Sequence, residues 1–291
     1  MTTLVTGATG TIGREIVRQL VDLDHPVRAL TRDSSKAGLP GAVEIVAGDL
    51  TDPTTLETAF HGVTTLHLIS LGGDDYAPLK TAREVIDRAT SAGVRRVTVL
   101  TGTADELAVA GSVEDSGVEW THVRPVEFMS NTLQWAGSIR AERVVRAPFG
   151  RQPHAIVHEA DVAAVVVAAL LEDGHAGQTY TPTGPEALTP IDVVATISGA
   201  IGATLEFVEL SVEQARDQMV EAGLLDDVID YVIAYGVNPP ESASTVLATV
   251  EEVTGRPSRT FAQWAAEHAE RMSRFVLKFG GDPELAQATS A

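Results

Sequence analysis

Leu4-Val5-Thr6-Gly7-Ala8-Thr9-Gly10-Thr11-Ile12-Gly13 is the stretch whose reading decides how this chain folds. Leu4 and Val5 read as a buried strand and Arg14 to Leu23 as a helix, so the chain turns sharply between them. Gly7, Gly10 and Gly13 keep that turn clear of side chains. A helix starting behind such a turn offers free N–H groups to an anion, and a pyrophosphate can rest on them. The GxxGxxG spacing differs from the GxGxxG of the usual dinucleotide fingerprint; the strand before it and the helix after it carry the reading. Cofactor contacts are therefore expected from Gly7, Thr9, Gly10, Thr11, Ile12 and Gly13.

Downstream, short apolar runs alternate with helical patterns. Val27 to Leu30, Val43 to Ala47, Thr64 to Ser70, Val97 to Leu100 and Trp120 to Val123 read as strands. Tyr76 to Ala92 reads as a helix ended by Gly93, and Pro53 follows a helix cap at Thr51 or Asp52. This alternation predicts an α/β fold, a Rossmann-type doubly wound parallel sheet covered on both faces. Later come a Val- and Ala-rich helix from Asp161 to Leu171, a short strand near Gln178 to Thr181 and a helix opened by Thr189-Pro190. Leu205 to Leu210 alternates as a strand, and Ser211 to Gly223 is helical. Thr260 to Gln263 forms a capping box whose helix puts Phe261, Trp264, Ala265, His268, Met272 and Phe275 on one stripe. The expected organisation is a cofactor-binding core over 1–153, an interleaved C-terminal substrate lobe over 154–279, and a frayed tail over 280–291.

Composition narrows the functions. With 291 residues, 44% of them hydrophobic, the chain can bury one large core, or one core and a small lobe. It has no cysteine, which excludes disulfides, thiolate zinc sites and a cysteine nucleophile. No apolar run reaches the roughly 18 residues of a membrane span, and Met1-Thr2-Thr3 carries no basic leader, so a soluble, cytoplasmic protein is expected. A net charge of −19 with scattered Lys and Arg argues against nucleic acid as a partner. No serine nucleophile elbow is present. His154 and His158 lie four apart, but Pro153 and the strand-like Ile156-Val157 argue against a shared helix face and a metal site there. His158 reads as a structural histidine that could instead face the substrate.

The end of the second strand selects the cofactor, because it lies beside the adenosine ribose. An NAD-selective site places an acid there, whereas this chain has Thr31 and Arg32. Arg32 suits a 2′-phosphate, with Lys36 as a second charge, while Asp33 leaves room for NAD(H). The expected cofactor is NADP(H), with NAD(H) possible. Asp49 suits the adenine amino group, with the Leu50 backbone alongside. Ile69 and Ser70 end the fourth strand and Thr101 the fifth, at the carboxyl edge where ligands collect.

The combination of Thr6 to Gly13, Leu30-Thr31-Arg32, Gly48 to Asp52, Leu68-Ile69-Ser70 and Trp120 to Asn131 resembles the NmrA-like branch of the atypical short-chain dehydrogenase/reductases. Asp161 to Ala164 and Gly177 to Pro185 extend the likeness over nearly the whole chain. The resemblance implies an NAD(P)-binding Rossmann domain with a small substrate lobe, and places Pro125 and Val126 beside the nicotinamide. Tyr76, Thr103, Asn131, Trp135 and His158 are candidates for the substrate pocket, and Arg124 is expected to pair with a carboxylate.

One departure matters. Most short-chain dehydrogenases use Tyr-x-x-x-Lys on the helix after the fifth strand, yet between Leu100 and Trp120 there is neither residue. Tyr76 and Lys80 match the spacing by count, but follow the fourth strand and enclose Pro78. Ser70 and Tyr76 are the candidates for catalysis. Hydride addition to a quinone or enone needs less protein-supplied acid, because the developing charge is delocalised. The expected activity is NADPH-dependent reduction of a small conjugated or aromatic carbonyl compound. The alternative is a non-catalytic NADP(H)-binding redox sensor that regulates a protein partner, as in regulators of the same group. A homodimer is left open.

Overall fold

The structure, a computed structural model, describes residues 1–73, 77–102 and 106–273. In chain order it begins β1 (Thr3–Val5), α1 (Thr11–Asp22), β2 (Val27–Thr31), β3 (Glu44–Ala47), α2 (Glu57–Phe60), β4 (Thr65–Ile69), β5 (Leu71–Gly72) and β6 (Ala77–Pro78). It continues α3 (Ala82–Ser91), β7 (Arg96–Leu100), α4 (Leu107–Glu114), β8 (Glu119–Val123), α5 (Ala136–Glu142), β9 (Val144–Ala147), α6 (Glu159–Leu171) and β10 (Gln178–Tyr180). Then follow α7 (Pro190–Ile201), β11 (Glu206–Glu209), α8 (Val212–Glu221), α9 (Asp226–Val237), α10 (Thr249–Thr254), α11 (Phe261–Glu267) and α12 (Ala269–Ser273).

The chain divides into two units. The first comprises 1–125, 159–182 and 248–257, and the second 126–158, 183–247 and 258 onward. The sequence reading changes unit near 153, whereas the chain leaves the first unit after Pro125 and returns to it twice. Residues 159–182 return because α6 is apolar on nearly every side and can satisfy that only by packing on the sheet beside α1. β10 then adds to the sheet against β8.

The first unit is built on a seven-stranded parallel sheet in the order β10-β8-β7-β4-β1-β2-β3. The order reverses between β1 and β4, so the crevice at their carboxyl ends is the place where a doubly wound sheet takes its ligand. Leu4, Leu66, Leu68, Val97 and Val99 bury one face with Phe60, Ile86 and Val113; each such side chain contributes about 1.5–3 kcal/mol of transfer free energy. His67 lies in the centre of the sheet, fully buried, with Nδ1 2.9 Å from Thr98 Oγ1. Burial pushes its pKa down to about 3, so it is a neutral core residue.

The second unit has a two-stranded parallel sheet, β9 with β11, and a core of Met129, Ile139, Val145, Ile197, Phe261 and Trp264. The capping boxes at Thr189 and Thr260 form, with Asp192 and Gln263 returning the bond. The helix expected over Tyr76 to Ala92 starts instead at Ala82, because Ala77–Pro78 pairs antiparallel with Leu71–Gly72. The terminal stripe breaks at His268, whose Nδ1 lies 2.9 Å from the Trp264 carbonyl that also accepts the His268 N–H. Phe275 lies outside the described residues. No helix among the described residues is long and apolar enough to cross a membrane.

Candidate cofactor site

The glycine turn after β1 is set by backbone crowding. Gly7 has φ +58°, and a Cβ there would lie 2.8 Å from Ile69 Cγ2. A Cβ on Gly13 would lie 2.1 Å from the Gly7 carbonyl oxygen. Gly10 differs: its φ is an ordinary −78°, it caps α1 without any side-chain bond, and a Cβ would meet only Gly7 O at 3.3 Å. The first turn of α1 carries no acid, so the partial positive charge at the helix start is left uncompensated. An open loop backed by an uncapped helix of 12 residues fits the phosphates of a dinucleotide. Thr9, Thr11 and Ile12 lie on that turn, with Thr11 exposed and Ile12 buried.

Arg14, which sequence reasoning passed over, ties the turn together. Its Nε donates to Thr9 O at 2.8 Å and its terminal nitrogen to Gly38 O at 3.1 Å, which also anchors the segment after β2. The signal was a cation directly after the third glycine.

At the end of β2, Arg32 is exposed. Asp33 turns its carboxylate onto the chain: Oδ1 accepts from the Ser35 N–H at 3.0 Å and the Ser35 hydroxyl at 2.6 Å, and Oδ2 pairs with Lys36 at 3.0 Å. The Ser35 hydroxyl, then Lys36, hold the Asp33 carboxyl below its ordinary range. After β3, Asp49 Oδ1 accepts from both the N–H and the hydroxyl of Thr51 at 2.8 Å. Leu50 is buried and its carbonyl accepts from the Thr81 hydroxyl at 2.5 Å.

The ends of β4 and β7 meet at a buried carboxylate. The Ile69 N–H donates to Thr6 Oγ1 at 2.9 Å. Ser70, 2% exposed, contacts the Leu100 carbonyl at 2.7 Å and the Glu106 carboxylate, which also accepts from the Gly102 N–H at 3.0 Å. Glu106 had no motif to announce it; only a pair of acids, Asp105-Glu106, closely following Thr101-Gly102-Thr103 pointed there. The Thr101 N–H donates to Val123 O at 3.1 Å, while its Oγ1 is buried with no partner among the described residues.

Tyr76 and Thr103 lie outside the described residues. The helix after β7, α4, carries neither tyrosine nor lysine. Pro125 closes the first unit behind Arg124, whose N–H donates to Tyr180 O at 2.8 Å. Among the described residues no carboxylate pairs with Arg124, whose Nε is buried there without a partner. Asn131, Trp135 and His158 belong to the second unit. Trp135 packs on that unit's core, and His158 Nε2 lies 3.4 Å from Glu267 Oε2. Among the described residues no group of three or more His, Asp or Glu could hold a metal.

An NAD(P)H-binding family model matches residues 7–173, and the NmrA-like family model matches 104–251. The chain belongs to the NmrA-like family of NAD(P)H-binding proteins. A similar family member is the (4-alkanoyl-5-oxo-2,5-dihydrofuran-3-yl)methyl phosphate reductase of Streptomyces griseus, 41% identical across 92% of this chain and 98% of that protein. An NAD(P)H azoreductase of Xenophilus azovorans is 38% identical across 91% of this chain and 97% of its own. Among solved structures, the NADPH-dependent quinone oxidoreductase QOR2 of Escherichia coli complexed with NADPH superposes with a TM-score of 0.77 at 25% identity, over 91% of this chain and 99% of that one. Triphenylmethane reductase of Citrobacter complexed with NADP(H) shares the fold, with a TM-score of 0.76 at 21% identity over 92% of this chain and 100% of that one.

Proposed function

We propose that this protein reduces a small conjugated or aromatic acceptor of the quinone or enone type with NADPH. The 41% identity to the Streptomyces enzyme carries the reading. That enzyme's named substrate is a 5-oxo-2,5-dihydrofuran, whose ring alkene is conjugated with carbonyl groups. The chain is an NAD(P)H-dependent oxidoreductase, and the bound dinucleotide supplies the hydride. The residues present contribute the rest. The glycine turn and the start of α1 hold the pyrophosphate, Arg32 with Lys36 receives a 2′-phosphate, and Asp49 with Leu50 receives the adenine. Ile69, Ser70, Thr101 and Pro125 form the nicotinamide end. Thr101 Oγ1, buried with no partner among the described residues, is available there to bond a cofactor amide or an acceptor oxygen, whereas the Ser70 hydroxyl is engaged by Leu100 O and Glu106. With no tyrosine or lysine on α4, the charge that hydride transfer creates is best spread through the acceptor's own π system.

The test is oxidation of NADPH by purified protein across quinones, enones, azo dyes and isolated ketones. Turnover is expected with conjugated acceptors and not with isolated ketones. Tight NADPH binding without oxidation by any acceptor would favour the redox sensor. Arg32→Ala is expected to weaken NADPH binding about tenfold and NADH less than twofold, as removing one charge-assisted contact does. Equal weakening in parallel titrations would remove the 2′-phosphate role.

A further inference from the structure

The carboxyl edge of the parallel sheet carries a row of polar side chains of which only part is satisfied. Leu68, Val99 and His122 stand side by side on β4, β7 and β8. Strand alternation returns to the same face two residues further on, so Ser70, Thr101 and Arg124 make the next row. The ladder runs on to this level, with the Thr101 N–H donating to Val123 O and the Arg124 N–H to Tyr180 O. The face is the one that α4 covers. Val109 and Val113 pack there with Leu68 and Val99, and His122 Nε2 lies 2.8 Å from Glu114 Oε1.

Ser70 is engaged by Leu100 O and by Glu106, whose carboxylate also accepts from the Gly102 N–H. Its two neighbours in the row are not. Thr101 is 2% exposed, and both its Oγ1 and the Nε of the half-buried Arg124 are shielded from solvent with no partner among the described residues. The one carboxylate that this face offers from the end of α4, Glu114, is taken by His122. Burial holds the His122 pKa below its ordinary value against the opposing pull of Glu114, and the Arg124 cation adds to the lowering, so the guanidinium stands within electrostatic reach of that ring. A desolvated donor without an acceptor is unfavourable, and a cation without a counter-charge more so. An Nε–H can only donate and a hydroxyl can donate, so the group that satisfies both is an oxygen, and the cation favours one that bears negative charge. Thr101 and Arg124 both lie within 1–125, in the same unit as the glycine turn, so one body holds the cofactor's phosphates and this pair of donors.

We propose that Arg124 and Thr101 form the oxyanion site of the reaction, the Arg124 Nε–H and the Thr101 hydroxyl donating to the carbonyl oxygen of the conjugated acceptor. This rests on the reading of the protein as a reductase of such acceptors. As hydride arrives at the far alkene carbon, the alkene pair shifts to form a new double bond to the carbonyl carbon, and the carbonyl pair moves onto oxygen. Arg124 and Thr101 hold the enolate so formed, which then takes a proton from water at the near alkene carbon; the cofactor is left oxidised. The pair stabilises by fixed charge what a Tyr-Lys pair would neutralise with a proton.

The probe is 4-nitrophenol, whose phenolate is a flat conjugated oxyanion, titrated into the whole chain saturated with NADP⁺ and read by the visible band of the phenolate. Wild-type protein is expected to bind the phenolate about tenfold more tightly than the neutral phenol, which lowers the pKa of the bound probe by about one unit. Arg124→Gln is expected to abolish that preference with NADP⁺ affinity unchanged, and Thr101→Val to reduce it about threefold. A bound probe with its ordinary pKa, as a site filled by water alone would give, overturns the assignment; so does the lack of saturable binding, or a preference that survives Arg124→Gln. Weaker NADP⁺ binding by Arg124→Gln with the preference intact overturns it too, and assigns the donors to the cofactor's carboxamide oxygen. Should Arg124→Gln unfold, Arg124→Lys decides: the preference is expected to fall about threefold, because a point charge lacks the Nε–H, and an unchanged preference overturns the proposal equally. A phenolate preference that depends on Arg124, without oxidation of NADPH by any conjugated acceptor, would leave the oxyanion site standing and remove the reductase reading instead.

Discussion

Gly13→Ala is expected to cost about 3 kcal/mol or more of stability and to lower NADPH affinity more than a hundredfold. The new methyl group would lie 2.1 Å from Gly7 O, 2.7 Å from Gly7 C and 2.8 Å from Ala8 Cα. All three are main-chain atoms, so no rotamer change relieves the clash; either α1 moves away from the turn or the turn opens. Both carry the N–H groups of the helix start away from the place where they would hold a pyrophosphate. Gly10→Ala is the informative control. Its Cβ meets only Gly7 O at 3.3 Å, so the fold should lose less than about 1 kcal/mol while NADPH binding weakens through the methyl group in the phosphate path. Denaturant melts and NADPH titrations of the two variants check this pair. A Gly13→Ala protein with wild-type stability would show that the turn is not packed as described.

Acidification to pH 5 is expected to destabilise the protein through His67 by about 2 kcal/mol. The imidazole has a pKa of about 3 in the fold against 6.5 for the free side chain, because burial disfavours its cation. Between these values the unfolded chain binds a proton that the native state refuses. The contribution to stability is therefore full above pH 6.5 and is lost progressively as the pH falls toward 3. His67→Gln can keep a bond to Thr98 Oγ1 and has no proton to take up. Its urea midpoint should fall below that of wild type at pH 7.5, and the gap should shrink by about 2 kcal/mol at pH 5. A gap of constant size at both values would mean that His67 titrates normally in the fold.

Much of the first unit was legible because strong local signals agreed with the global arrangement. The glycines of the first turn and the apolar strands follow from short-range patterning that a parallel sheet enforces. What escaped was set by long-range contact. Glu106 becomes a partner of Ser70 only because β4 and β7 are neighbours, and no spacing in the sequence joins positions 36 apart. The helix α9 gave no start signal, since Leu225 at its cap position offers no side-chain bond, and its exposed Val228, Tyr231 and Val232 blur the amphipathic pattern. The break at His268 was hidden for the opposite reason: the apolar stripe continues through it, while a side chain competes for the backbone carbonyl. Pro78 was readable as a helix obstacle, and the structure resolves it as part of an antiparallel pair.

The central claim is hydride transfer from NADPH to a conjugated acceptor, and an isotope label tests it most directly. The protein is mixed with NADPH deuterated at nicotinamide C4, in separate reactions for each face, and with a 4-alkanoyl-5-oxo-2,5-dihydrofuran; the product is then analysed by mass spectrometry. The account predicts one deuterium on the former ring alkene carbon from one face of the cofactor only, and none from the other. Product that carries no label from either face, or cofactor that binds and is never oxidised, would contradict it.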